Sequence, residues 1–230
     1  LIDQGAITQS RLSTPLSYTG IMEQIKALFS KTEFAIKSGL KKADFSYLSK
    51  NGKCSTCSGY GKIKTSMDFM SDIWLTCFSC KGMRYNELIL ACKFKERSIG
   101  EVCGMTVLEA IEFFDTEAIL QSLKILKRVG VGHLLLGQAG NTLSGGEAQR
   151  LKLAASMMGR RTGATLYLFD EPSSGLHYFD ILQLIEVFQL LVGRGDTVIF
   201  IEHNSTLIGA ADEVVTLGPG SGENGGSVIY

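Results

Sequence analysis

The chain has 230 residues, 45% of them hydrophobic and 20% charged, and its formal net charge is zero. This is an ordinary globular balance, suited to one large domain or one domain with an insertion, and any nucleic-acid surface must be a local patch rather than a global field. The apolar runs, such as Leu88 to Cys92, are far too short to span a membrane, and no basic start with an apolar stretch marks a signal peptide. A cytoplasmic protein with reduced thiols is the expectation.

In chain order, Leu1-Ile2-Asp3-Gln4 reads as the end of a strand without an initiator Met, as in a piece of a longer protein. A basic stretch follows. Lys31, Lys37, Lys41, Lys42, Lys50, Lys53, Lys62 and Lys64 face only Glu33 and Asp44. Phe34, Phe45, Tyr47, Tyr60, Phe69 and Trp74 are interleaved with them or follow closely. Lysines supply phosphate contacts without sequence preference, and aromatic rings can stack on bases. A solvated lysine-rich face with a few packing aromatics is the competing reading.

Cys54 and Cys57 form one C-x-x-C pair and Cys77 and Cys80 a second, with nineteen residues between the pairs. Two residues within each pair let both sulfurs reach one ion, and the spacer suits a hairpin that brings the pairs together. Four thiolates in a tetrahedron are a closed, structural Zn²⁺ site. Gly59, Gly61 and Gly82 follow the pairs, where the backbone must fold back toward the sulfurs. Such a staple suits a segment too small for its own core. Cys92 and Cys103 lack this spacing and read as buried small hydrophobes.

Further on, NTLSGGEAQRLKLAASMM (Asn141 to Met158) places Ser144 and Glu147 at capping-box spacing. Ala148, Leu151, Ala155 and Met158 recur on one helical face. The amides of Gly145 and Gly146 in the first turn suit an anion. Without a ligand they are only a capped helix start. Thr165 to Phe169 reads as a buried strand that ends in Asp170-Glu171-Pro172. An Asp there can hold Mg²⁺ and a neighbouring Glu can orient or deprotonate water; a solvated loop start is the plain alternative. A helix from about Phe179 to Val192 has Leu182, Ile185, Phe188 and Leu191 on one side. A second buried strand, Thr197 to Ile201, ends in Glu202-His203-Asn204, and Val214 to Leu217 and Ser227 to Tyr230 read as two further strands. Strand, helix, strand with polar residues at the carboxyl ends is the organisation of an α/β nucleotide site.

Together these residues resemble the ATP-binding cassette ATPases. LSGGEAQR (Leu143 to Arg150) resembles the signature motif, LYLFDEP (Leu166 to Pro172) the Walker B strand, SSGLH (Ser173 to His177) the D-loop, and IEHN (Ile201 to Asn204) the switch-histidine loop. Gln4 sits where a Q-loop glutamine stands. With the zinc tongue between Q-loop and signature, the chain is similar to the C-terminal cassette of the UvrA family, the damage-recognition subunit of bacterial excinuclease. PLSYTG, KGMRYN, MTVLEAIEFF and LGPGSGENGGSVIY also resemble that family. Two features depart from it. No G-x-x-x-x-G-K-[ST] occurs, which places a Walker A loop upstream. In ITQSRLSTP (Ile7 to Pro15), Gln9 and Leu12 stand where the family has arginines, with Arg11 between them.

The resemblance implies an α/β fold: an ABC-type ATPase cassette fragment with a zinc-binding insertion and a helical signature subdomain. Residues 1–17 are the Q-loop strand and following loop, 18–104 the insertion with its tongue at 51–82, 105–163 the signature subdomain, and 164–230 the core with Walker B, D-loop and switch histidine. It implies roles for Asp170 and Gln4 at Mg²⁺, for Glu171 at the attacking water and for His203 at the γ-phosphate. Ser144, Gly145 and Gly146 then close over ATP on the partner cassette. Cys54, Cys57, Cys77 and Cys80 hold structural Zn²⁺, and Lys50, Lys53, Lys62 and Lys64 are the DNA-binding candidates. The implied partners are damaged double-stranded DNA, a second cassette of the same chain, a second copy of the intact protein and a UvrB-like repair protein, with no membrane. ATP hydrolysis belongs to the intact protein in nucleotide excision repair, and the fragment alone is expected to be inactive. A UvrA-like protein outside repair, for instance in drug self-resistance, is an alternative. A zinc-knuckle protein-binding module is another, because CSTCSGYG also fits the chaperone knuckle C-x-x-C-x-G-x-G.

Overall fold

A computed structural model describes residues 10–67, 70–159, 163–220 and 226–229. They divide into two compact units, one within Gln4–Thr162 and one within Gly163–Tyr230.

The first unit is helical, with the tongue projecting as a hairpin. Its helices start where short polar side chains can cap them. Thr14 caps Pro15–Tyr18, and Pro15 is favoured there because its missing N–H is not needed in a first turn. Gly20, at φ 77°, makes the left-handed turn into Ile21–Phe29. Ser98, Thr106 and Ser144 each stand three residues before a glutamate. Each closes a capping box at the head of Ile99–Cys103, Val107–Phe113 and Gly145–Met158, respectively. The helix Glu117–Arg128 buries Ile119, Leu123 and Leu126 and ends in Lys127 and Arg128, which suits its dipole.

These helices share one core. Leu16, Ile21, Ile25, Phe29, Phe45, Ile89, Ile99, Phe114, Leu123 and Leu126 are all fully buried. Each contributes about 1.5–3 kcal/mol relative to exposure. Phe94, on the short ribbon of Lys93–Phe94 with Arg97–Ser98, links Phe29 to Phe113 and Phe114 by ring contacts. The tongue is an antiparallel hairpin of Lys62–Met67 with Met70–Thr76, in which Lys62 faces Thr76 and Lys64 faces Trp74.

The second unit is a strand–helix–strand. Leu166–Asp170 pairs in parallel with Thr197–Ile201, setting Asp170 beside Ile201. Asp196 is buried and accepts a hydrogen bond from the Thr165 amide at 3.0 Å, which fixes the entry of both strands. The crossing helix Tyr178–Val192 covers one face of the ribbon, with Phe188 against Phe169 and Phe200.

Four sequence expectations change here. The two strands form but are not wholly buried: Leu166 is 54% exposed and Ile201 63%. One helix covers one face, and side chains alternate between faces. The crossing helix buries Ile181, Leu184, Val187, Phe188 and Leu191, so its inner face is rotated from the predicted Leu182 and Ile185. Val214 to Leu217 and Ser227 to Tyr230 form no strands among the described residues, only an isolated bridge between Leu217 and Val228. In the signature helix the buried set is Ala148, Gln149, Arg150, Leu151, Leu153 and Ala154, broader than the predicted stripe, and it leaves out Ala155 and Met158.

Candidate functional site

The hairpin brings the two cysteine pairs together. The sulfurs of Cys54, Cys57, Cys77 and Cys80 all lie within 4.8 Å of one another. Cys54 and Cys77 Sγ are 4.0 Å apart and Cys57 and Cys80 Sγ 3.6 Å. A Zn–S bond of about 2.3 Å gives a tetrahedron edge of about 3.8 Å, so the sulfurs stand at metal-site spacing. All four are buried free thiols.

The two knuckles repeat one backbone path. Ser58, Gly59 and Gly61 have φ of 51°, 86° and 72°; Lys81, Gly82 and Arg84, at the same offsets from Cys80, have 50°, 87° and 72°. This path turns amides toward sulfur, as where the Gly61 N–H donates to Cys57 Sγ at 3.2 Å. Electrostatics separate the thiols. Burial raises Cys54, but the amides of Cys57 and Thr56 outweigh it and bring that thiol down to about 6. Burial, only partly offset by the Arg84 amide, pushes Cys80 up to about 12, and the Cys57 and Cys77 sulfurs add to that. Four thiolates at this spacing repel one another, and a bound dication is the group that lets all four ionise. The residues therefore fit Zn²⁺. Cys92 and Cys103 are buried apart from this cluster, as expected, and burial raises both thiols.

Arg84 escaped the sequence reading. Its guanidinium donates to the Gly137 carbonyl at 3.1 Å and lies 5.1 Å from the centre of the Tyr47 ring. It joins the second knuckle to the helical body. Arg11 stacks over Trp74 at 4.4 Å, and Trp74 lies beside Tyr60. Of the four lysine candidates, Lys50, Lys62 and Lys64 are exposed and Lys53 is half-buried. Lys64 is paired with Asp72 at 2.5 Å across the hairpin.

At the head of the signature helix, Ser144 is exposed and its Oγ accepts the Glu147 amide at 3.2 Å. Glu147 accepts the Ser144 amide at 2.7 Å and meets His133 Nε2 at 2.9 Å. Burial raises the Glu147 carboxyl, but His133 and the Ser144 groups more than offset it. Gly145 and Gly146 are half-buried in the first turn.

In the strand–helix–strand unit, Asp170 and Glu171 leave the first strand together, both exposed. Glu171 has φ 43°, an unusual conformation for a non-glycine residue, and its amide donates to the Ile201 carbonyl at 3.0 Å. His203 leaves the second strand with Nε2 4.0 Å from Glu171 Oε1. The predicted pair thus comes together across the ribbon's carboxyl end. Glu202, given no role from sequence, accepts three backbone amides there: Ser173 at 2.6 Å, His203 at 2.9 Å and Asn204 at 3.1 Å. Burial raises its carboxyl, but the Ser173 contacts and the other amides hold it below the usual carboxylate value. Gln4, Gln9 and Phe69 lie outside the described residues.

No family model matches the chain. The UvrABC system protein A of Clostridium perfringens is 47% identical to it over 229 residues, covering 99% of this chain and 24% of that protein. The UvrABC system protein A of Methanothermobacter thermautotrophicus is 45% identical over 230 residues, again with 24% of that protein covered. Among solved structures, UvrA2 from Deinococcus radiodurans matches all of this chain with a TM-score of 0.91 and 39% identity, over 28% of that chain. The chain thus spans about a quarter of the length of the curated relatives it matches. It is a homologue of that segment of the UvrA proteins.

Proposed function

We propose that the chain is the part of a UvrA-like, DNA-binding ABC ATPase that carries the zinc tongue, the signature helix and the Walker B, D-loop and switch elements, and that the intact protein couples ATP hydrolysis to recognition of damaged DNA in excision repair. One observation carries the reading: Glu171 and His203 meet at 4.0 Å where two paired parallel strands end, in a chain homologous to UvrA. Asp170 and Gln4 would hold Mg²⁺, which neutralises phosphate charge. Glu171 orients the attacking water and accepts its proton, and His203 donates a hydrogen bond to the γ-phosphate. Ser144, Gly145 and Gly146 offer amides at a helix N-terminus to ATP held by a partner cassette. The chemistry is positioning and charge stabilisation.

Cys54, Cys57, Cys77 and Cys80 hold Zn²⁺ as a staple. Lys50, Lys53, Lys62 and Lys64 face DNA, in an intact protein that works as a dimer beside a UvrB-like partner. The 230 residues contain no G-x-x-x-x-G-K-[ST], so the fragment alone is expected not to turn over ATP. The test is Glu171→Gln in the intact protein: hydrolysis falls by at least about a hundredfold while ATP binding persists. Hydrolysis at the unaltered rate refutes the assignment.

A UvrA-like role outside repair has one observation in its favour. Arg11, the arginine of the departing segment, is engaged with Trp74. Restored survival of an ultraviolet-sensitive, UvrA-deficient strain by the full-length protein would reject that second reading.

A further inference from the structure

Glu202 lies between the two loops that the proposed chemistry uses, yet it is not one of the reacting groups. Its Oε1 accepts the amide of Ser173, in the loop after the first strand. Its Oε2 accepts the amides of His203 and Asn204, in the loop after the second. Three donors from two loops thus converge on one carboxylate, which is half-buried between them. Other hydrogen bonds at this end of the ribbon are local or backbone. Glu171 N–H donates to the Ile201 carbonyl, the Ser174 N–H to the Glu171 carbonyl, and Asn204 Oδ1 caps the helix Ser205–Ile208. Glu202 thus bridges the Ser173 loop and the His203 loop through side-chain hydrogen bonds.

We infer that Glu202 is a positioning residue that latches the loop carrying Ser173 to the loop carrying His203, so that His203 keeps its place beside Glu171. The inference rests on the ATPase reading proposed above. Its chemistry is specific to a carboxylate. Both oxygens must accept, one from Ser173 and the other from two amides. A glutamine of the same shape has one accepting oxygen and one donating NH₂ group. Whichever way its amide is turned, an N–H then points at an N–H, and one of the two loops is released. The latch also gives Ser173 a route to His203. A displacement of the Ser173 loop, by whatever packs on it in the intact protein, pulls on the same carboxylate that holds the histidine's amide.

The experiment uses the intact protein with three forms in parallel: unaltered, Glu171→Gln and Glu202→Gln. Steady-state ATP hydrolysis, equilibrium ATP binding and thermal denaturation are measured for each. The expected result for Glu202→Gln is a kcat lowered by on the order of tenfold or more, a KM and an ATP affinity within about twofold, and an unaltered melting temperature. An inactive Glu171→Gln with a fully active Glu202→Gln overturns the latch while leaving the ATPase reading standing. A Glu202→Gln protein that melts early or loses ATP binding overturns positioning in favour of a structural role. A fully active Glu171→Gln protein overturns the underlying reading itself.

Discussion

Removing the metal should open the tongue and leave the helical body closed. The tongue's own cluster consists of the four cysteines with Ile63 partly buried against them. Apolar burial at Ile63 supplies at most about 2 kcal/mol. Ordering each residue of the hairpin and its knuckles costs about 1–2 kcal/mol in backbone entropy. Zinc held by thiolates contributes about 10–16 kcal/mol at neutral pH, so metal decides whether the tongue is folded. The body draws its stability elsewhere, from Ile25, Phe29, Phe114, Leu123 and Leu126, which are buried outside the cysteine cluster. The assay is amide hydrogen exchange with and without a strong chelator, alongside zinc quantification. About one zinc per chain is expected. Its removal should strip protection from the amides of residues 54–84 and spare those of Glu117–Arg128 and Gly145–Met158. Cys80→Ser should give the same pattern without chelator. A tongue still protected after metal loss would refute the reasoning, and so would collapse of both regions together.

Replacing Lys50, Lys53, Lys62 and Lys64 with Ala in the intact protein should weaken DNA binding and flatten its salt dependence, with zinc content unchanged; unaltered affinity would remove the tongue from the DNA surface. Because Lys64 is already paired with Asp72, Lys62→Ala alone should cost more affinity than Lys64→Ala. Glu101 is held down at about 2, first by Lys93 and then by the Ser98 amide and hydroxyl. A depressed carboxylate stabilises the fold above its unfolded value near 4.5, and that contribution fades as pH falls from there toward 2. With the side chain 34% exposed and solvent screening counted, Glu101→Gln should cost roughly 1 kcal/mol at pH 7 by urea denaturation. The gap to the unaltered protein should narrow below about pH 4, and a gap that widens in acid would contradict the assignment.

Local chemistry was legible in the sequence; long-range partners were not. The cysteine spacing alone announces the metal cluster, because two x-x spacers and two glycine turns leave few other uses for four thiols. Ser144 and Glu147 announce their helix for the same local reason, and Ser98 with Glu101 and Thr106 with Glu109 carry the same signal, though at helices too short to show periodicity. The inner face of Tyr178–Val192 was read wrongly because YFDILQLIEVFQLLV is apolar on nearly every side, so a 3.6-residue period cannot choose among its faces. The two strands were read as buried because an apolar run does not say how many layers cover it, and here one helix covers one face. Glu202 was hidden by its neighbour: a histidine after a strand draws attention, whereas a glutamate that binds three amides does so only through a loop twenty-nine positions away.

Arg84 shows what the sequence pattern conceals at the tongue's root. The first knuckle has Gly61 where the backbone needs φ of 72°, and the second has an arginine at the same offset with the same φ. An L-residue there costs on the order of 1 kcal/mol that glycine avoids. Glycine, however, could not reach the Gly137 carbonyl or lie on the Tyr47 ring. A hydrogen bond from a charged group contributes about 1.5–3 kcal/mol, enough to offset that strain. The second knuckle is therefore anchored to the helical body through Arg84 and the fully buried Tyr85, and the Arg11 stack on Trp74 makes a separate contact with the hairpin. The tongue is thus tied to the helical body at its second knuckle and along its hairpin.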